Sequence, residues 1–309
     1  MAEENQKGEL EERLKELLSL NTDYRPSTDE IDHKILQTAE KHYLKGVKLF
    51  EKRNFEKAAD EFSKSINFDP NNVSAHYNLG ITLYNIGDIE GAIEEFKEAI
   101  RIDPDYQQVH YNLGCVLRNK GDLEGADSAF KKALEIDPEY AKAHDGLGSV
   151  LHKKGDLEGA IDEFRKATDL ASNFDVFHYN LGFALYQKGD LEEADAELKK
   201  AIEIDPYYVD AHYNLGCVFR EKGDLDVAIE EFREVIRLDQ NHALAHNSLA
   251  GIFWNKEDFD MALHELTEAI EIDPDFADAY YNLGLVFEKK GDFERAALAY
   301  KKSAELRDE

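Results

Sequence analysis

The amino-acid sequence predicts an all-α fold, a solenoid of antiparallel helix pairs, on the strength of three residue combs that share one period. Prolines recur at Pro70, Pro104, Pro138, Pro206 and Pro274, with Ser172 and Gln240 where the same 34-residue count would place two more. Glycine occupies Gly46, Gly80, Gly114, Gly148, Gly182, Gly216 and Gly284, interrupted only by Ala250. Alanine runs unbroken through Ala58, Ala92, Ala126, Ala160, Ala194, Ala228, Ala262 and Ala296. Self-similarity at a fixed period of this length marks a repeat array in which each unit packs on its neighbours.

The unit Val209–His242 shows why the period is helical. Its first half is small or apolar at unit positions 3, 7, 8, 10 and 11, which suits a helix buried on a wide face. Gly223 closes that helix, because glycine enters the left-handed C-cap conformation without strain. Asp224 follows as an N-cap, and Asp226 sets a second negative charge on the positive end of the next helix. That helix places Leu225, Ala228, Ile229, Phe232, Val235 and Ile236 on one stripe and charges on the other. Gly216 and Ala228 are small, so the two helices can cross closely.

A small residue at position 8 (Gly216), alanine at 20 (Ala228), an aromatic or leucine at 24 (Phe232) and usually proline at 32 resemble the tetratricopeptide repeat. In that register eight units run over 39–72, 73–106, 107–140, 141–174, 175–208, 209–242, 243–276 and 277–309, almost nine-tenths of the chain. The resemblance implies a right-handed superhelix, with positions 2, 5, 6, 9, 12 and 13 of each first helix lining its inner groove. Helical spacing agrees, since those offsets form one stripe opposite positions 3, 7, 10 and 11.

Residues 1–38 stand outside the repeat. Gly8–Leu20 carries Leu10, Leu14, Leu17 and Leu18 on one face of a short amphipathic helix. Asn21–Thr28 reads as a loop with Pro26, Ser27 with Glu30 resembles a capping box, and a helix is expected from about Asp29 straight into the first repeat. The segment is expected to cover the exposed end of the solenoid; the alternative is a helix that folds back and blocks the groove. At the other end, Ala304 with Lys302 and Ser303 beside it reads as a surface facing water, and the chain as complete.

The chain has 309 residues, 42% of them hydrophobic, enough for a continuous layered core, and a formal charge of −29 with a pI near 4.7. Such acidity argues against nucleic acid or anionic lipid held through a general field. Cys115 and Cys217 lie three repeats apart, too far for a disulfide at a helix spacing of ~8–10 Å. The acidic N-terminus lacks the apolar core of a signal, no apolar run approaches the ~20 residues of a membrane span, and a soluble cytoplasmic setting is expected.

The inner face carries two rows. Position 6 holds Asn78, Asn112, Asn180, Asn214 and Asn282, and position 5 holds Tyr43, Tyr77, Tyr111, Tyr179, Tyr213 and Tyr281. Carboxamides in a row can pair with the backbone of an extended peptide, and flanking rings add apolar area at low entropic cost. The arrangement resembles the asparagine ladder in the repeats of O-linked N-acetylglucosamine transferases; the plainer alternative is that these asparagines join neighbouring helices. Unit four breaks the row with Asp145-Gly146 and unit seven with Asn247-Ser248. Position 12 runs Tyr84, Arg118, His152, then Tyr186, Arg220, Trp254, which suggests a 102-residue duplication and two related pockets, although drift among copies would also produce it. At the six lining positions five cations face seven carboxylates, so the groove is close to neutral. The two-carboxylate clamp of chaperone-tail readers does not fit: its sites hold, for example, Tyr77, Ile81, Lys142 and Gly146.

His42, His76, His110, His144, His178, His212 and His246 occupy position 4 of seven successive units. Equivalent residues a helix layer apart, ~8–10 Å, cannot share one ion, so these are expected to be packing residues; protonation is expected to loosen the stack. Glu94-Glu95 and Glu230-Glu231 read as solvated charge. No nucleotide, hydrolase or metalloprotease motif occurs, and no metal or cofactor is expected. The sequence thus points to a non-enzymatic scaffold or adaptor holding a protein or extended peptide through Tyr77, Asn78, Tyr84, Tyr111, Asn112, Arg118, Tyr179, Asn180, Tyr186, Tyr213, Asn214, Arg220, Trp254 and Asn282. The alternatives are an assembly subunit that uses its convex face, or a regulatory module of a separately encoded enzyme.

Overall fold

The computed structural model describes residues 28–308, and those residues contain sixteen α-helices and no strand. The expectations for Gly8–Leu20, the loop at Pro26 and the capping box at Ser27 lie outside the described residues. The chain divides into two compact units, Met1–Lys154 and Gly155–Glu309. The first holds α1 (Thr28–Glu51), α2 (Phe55–Phe68), α3 (Val73–Ile86), α4 (Ile89–Ile102), α5 (Gln107–Lys120), α6 (Leu123–Ile136) and α7 (Ala141–Lys153). The second holds α8 (Leu157–Leu170), α9 (Asp175–Lys188), α10 (Leu191–Ile204), α11 (Val209–Lys222), α12 (Leu225–Leu238), α13 (Ala243–Asn255), α14 (Phe259–Ile272), α15 (Ala277–Lys289) and α16 (Phe293–Asp308). Within each unit every helix packs on the one before it and the one after it.

Two kinds of turn set this alternation. Inside a hairpin, Gly121 adopts φ +91° and its N–H reaches the carbonyls of Leu117 and Arg118, while the Asp122 carboxylate accepts the Gly125 N–H at 2.9 Å. Asp88, Asp156, Asp258 and Asp292 cap their helices in the same way. Asp224 stands at the N-cap as expected, but its side chain makes no capping bond. Between hairpins the aspartate ahead of the proline position bonds the backbone N–H two residues on, as Asp103 does to Asp105 at 3.2 Å. Asp239 makes the same turn at 3.0 Å although Gln240 follows it in place of proline, so the aspartate carries the turn chemistry and proline only stiffens it.

The two helices of a hairpin meet at glycine. A Cβ on Gly114 would lie 2.8 Å from the ring of Phe130, and one on Gly80, Gly216 or Gly284 would strike Phe96, Phe232 or Tyr300 as closely. Phe62, Phe96, Phe130 and Phe232 are fully buried, each contributing on the order of 2–3 kcal/mol by leaving water. Ala250, the one break in the glycine comb, belongs to a repeat whose position 24 is Leu266 instead of a ring. Position 27 faces the same seam. Ser303 occupies it in the last repeat and is 2% exposed, like Ser65 at 0%; of the C-terminal residues expected to face water, Ala304 does and Ser303 does not.

Replacing Gly114 with alanine forces a methyl group into the Phe130 ring and is expected to lower stability by about 1–3 kcal/mol, measured by urea denaturation. Glu257 sits at φ +60° in the place where other repeats have glycine. Glu257→Gly is expected to raise stability by about 1 kcal/mol by relieving left-handed strain.

Candidate functional site

The expected inner face is assembled from first helices, and the tyrosine and asparagine rows turn out to bind each other. In the first unit Asn112 Nδ2 donates to Tyr77 Oη at 3.0 Å and to the Gln108 carbonyl of its own helix at 2.9 Å. Asn78 does the same with Tyr43 at 3.1 Å and the Ser74 carbonyl at 2.8 Å. In the second unit Asn214 reaches Tyr179 at 3.4 Å and the Asp210 carbonyl at 2.8 Å. Both amide hydrogens are therefore engaged, and Oδ1 remains as the acceptor. Unit seven departs from the tyrosine–asparagine pattern yet keeps the links: Tyr213 Oη meets Ser248 Oγ at 3.3 Å, and Asn282 Nδ2 donates to Asn247 Oδ1 at 2.9 Å. In unit four Gly146 stands in place of asparagine, and a Cβ there would lie 2.6 Å from the Phe130 ring. Asn180 is half-buried on α9.

The tyrosines are held from two sides. Tyr111 packs on Phe130 at 5.8 Å and on Tyr140 at 5.3 Å between ring centroids; Tyr77 packs on Phe96 and Tyr106, Tyr179 on Tyr208, and Tyr213 on Phe232 and His242. Burial raises the phenol pKa of Tyr77, Tyr111, Tyr179 and Tyr213, and pushes Tyr140 up to about 12. Tyr106, Tyr140, Tyr208 and His242 form a row at position 34 that sequence reasoning missed. The signal was present, since the rings recur every 34 residues, but they precede the next helix and read as loop.

Position 12 forms a second set of links. Tyr84 Oη accepts from Asn119 Nδ2, whereas Tyr186 Oη donates to Glu221 Oε1 at 2.7 Å. Arg118 and Arg220 are half-buried on α5 and α11, and neither guanidinium has a hydrogen bond or ion pair to another described residue. Trp254 stacks edge-on against Phe259 at 5.3 Å.

Tetratricopeptide repeat models match residues 46–87, 82–121, 114–155, 148–189, 184–219 and 252–291, and a second model of the same repeat matches 209–242 and 277–309. The chain belongs to the tetratricopeptide repeat family. Among curated proteins no sequence is significantly similar. YrrB, described as a TPR protein with an unusual peptide-binding site, is 30% identical over 60% of this chain and 96% of its own, with a TM-score of 0.54. MamA from Desulfovibrio magneticus RS-1 is 26% identical over 55% of this chain and 96% of its own, TM-score 0.51. Pseudomonas aeruginosa PilF, at 19% identity, 67% and 94% coverage and TM-score 0.61, shares the fold alone.

These TPR units also carry a buried histidine system. His76, His178, His212 and His246 are between 4% and 8% exposed, and their Nδ1 atoms lie 2.6–2.7 Å from the carboxylates of Glu95, Glu197, Glu231 and Glu265. His42 meets Glu61 at 2.7 Å. On the far side of the ring, Nε2 donates to the carbonyl at position 32 of the preceding repeat, Pro70 for His76 and Pro206 for His212. Glu95 and Glu231 are thus ligands of histidine and not the solvated charge expected. His76, His178 and His212 do more than pack, for each ties a loop, a first helix and a second helix together. Among the described residues no group of three ligating side chains is placed to hold a metal, and no helix is long and apolar enough to cross a membrane. Cys217 is buried, although position 9 was expected to line the groove, and burial raises the thiol pKa of both cysteines, so neither is a thiolate at neutral pH.

At His76 and His212 protonation tightens the contact, contrary to the loosening expected, because both ring nitrogens face acceptors. Burial disfavours the charged form of His76, but the Glu95 carboxylate and the Pro70 carbonyl outweigh it and the pKa is raised. At His212 the bond to Glu231 leads, burial opposes it, and the pKa is again raised. A raised folded-state pKa gives stability that is complete below the unfolded value of ~6.5 and is lost as pH climbs through the folded value. Thermal midpoints are expected to fall by a few degrees between about pH 6 and pH 8.5. Combined Glu95→Gln and Glu231→Gln is expected to flatten that slope; a midpoint that rises over this range would contradict the assignment.

Proposed function

We propose that this TPR scaffold is non-catalytic and holds an extended peptide along the first-helix face of its repeats. The observation that carries the reading is the pair of unpartnered guanidiniums, Arg118 and Arg220. In a chain with 66 carboxylate residues against 37 cations, a half-buried arginine without a carboxylate among the described residues leaves its N–H donors for a ligand to take. Around each arginine the face offers acceptors, the Oδ1 atoms of Asn78 and Asn112 in the first unit and of Asn214 in the second, and partly exposed tyrosine rings. Peptide N–H groups would meet the amide oxygens, and peptide carbonyls or carboxylates would meet the guanidiniums. The peptide-binding site named for YrrB gives the reading a precedent among relatives with this repeat.

This mode differs from a ladder that reads the peptide through both faces of each amide. The asparagine donors already join one repeat to the next, so recognition would rest on amide acceptors, arginine donors and rings. Tyr84, Tyr186 and Trp254 would supply the rings beside the arginines, and Asn180 and Asn282 would extend the acceptor row.

The test is direct because the arginines have no hydrogen bond or ion pair to another described residue. Peptides selected from a randomised display library would be measured by fluorescence anisotropy against wild type, Arg118→Ala and Arg220→Ala. Loss of a charge-assisted bond is expected to weaken binding by about tenfold or more, with thermal midpoints unchanged. Full affinity in both variants would move the binding function to another face.

A further inference from the structure

One histidine lacks the carboxylate that its counterparts have. In the third repeat, position 23 is Ala129, so His110 faces a methyl group where His76, His178, His212 and His246 face glutamate. His110 is nonetheless as buried as they are, at 6% exposure, and its Nε2 makes the same bond to a loop carbonyl, Pro104 at 2.8 Å. Its Nδ1 has no partner. Beside it lies a cavity of about 520 Å³ lined by His110, Leu113, Ser128 and Ala129, with charged side chains around them. Those charges are balanced among themselves: Lys131 pairs with Asp127 at 2.8 Å and Lys132 with Glu135 at 3.0 Å. The depression opens to solvent beside the position at which the other repeats with a histidine at position 4 carry a glutamate.

We propose that this cavity is a carboxylate-binding site, in which an external carboxylate takes the place on His110 Nδ1 that glutamate takes in the other repeats. The group is either a glutamate or aspartate side chain of a bound protein or a small carboxylic acid. Because Nε2–H is committed to the Pro104 carbonyl, Nδ1 is the ring atom left to meet a ligand. In the bound state Nδ1–H donates to the carboxylate, the arrangement found between His76 and Glu95. The site lies between α5 and α6, built from His110 and the α6 seam, and is independent of the arginine-bearing face discussed above.

The test follows the imidazole nitrogen signals of the full chain by NMR near pH 6.5, with acetate, succinate and the peptide acetyl-Ala-Glu-Ala-amide as probes. A saturable shift of His110, several times larger than that of any other histidine, is expected. Ala129→Glu supplies the internal carboxylate, and Ala129→Leu fills the space with an apolar group. Either variant is expected to abolish the response, so a folding failure in one leaves the other to decide. Saturation by the peptide at about a tenth of the acetate concentration assigns the site to a partner's side chain; equal affinities assign it to a small acid. A His110 response that is linear in concentration, matched by the other histidines or unchanged in both variants overturns the proposal.

Discussion

In repeats such as the third and sixth, the contact between a glycine at position 8 and a ring at position 24 is the constraint from which the rest of the repeat follows. With Gly114 and Gly216 lacking a side chain, the rings of Phe130 and Phe232 lie directly on the neighbouring helix backbone. That fixes both the separation and the register of the two helices. Position 23, one residue before the ring, then faces position 4, which is how Glu95 meets His76 and Glu231 meets His212. Position 5 lies over the ring itself, which is how Tyr111 comes to Phe130 and Tyr213 to Phe232. The histidine clamp and the tyrosine row are consequences of one crossing.

Coupling between repeats has a different basis. It uses short polar links one repeat apart: tyrosine to asparagine, histidine to the preceding loop carbonyl, and lysine at position 14 to an acid at position 18. The last are the most visible, as in Lys120–Glu90 at 2.6 Å and Lys256–Asp226 at 2.6 Å. They are also the weakest, because both partners are exposed to water and such pairs contribute at most about 1 kcal/mol. Buried histidine–glutamate pairs and half-buried amide bonds lose less to solvent. Their removal leaves an uncompensated polar group inside, so the repeats depend on them more than on the surface ion pairs.

Period and patterning made the fold legible because they are one-dimensional. Glycine, alanine and proline at 34-residue spacing report a helical hairpin whatever lies between, and the buried stripes of α11 and α12 fall where hydrophobic spacing places them. What the spacing could not show was which polar atoms face each other. The 19-residue offset from His76 to Glu95 was present in the sequence, yet glutamate pairs on an amphipathic helix look like solvated charge until the crossing is known. The asparagine row was legible as a row. Its hydrogen-bond direction was not, because the amide carries donors and acceptor alike and only the position of Tyr77 Oη decides which is engaged. Ser303 misled for the opposite reason: a hydroxyl reads as surface, but a small residue at the seam is tolerated whatever its polarity when space is the constraint.

Using the amide donors internally has a consequence for recognition. A flexible asparagine row would have to be ordered by its ligand, at a cost in side-chain entropy for every residue immobilised. Here the tyrosine hydroxyls and the helix carbonyls already hold Asn78, Asn112 and Asn214, so their acceptor oxygens are pre-oriented. On the proposed reading, adaptability would be left to Arg118 in the first unit and Arg220 in the second, whose long side chains have no hydrogen bond or ion pair to another described residue and would follow a peptide. A face built this way would read a peptide's backbone through fixed acceptors and its sequence through mobile donors. Its selectivity would therefore reside in the two arginines, and its affinity in the stiffness that the tyrosine–asparagine bonds give to the face.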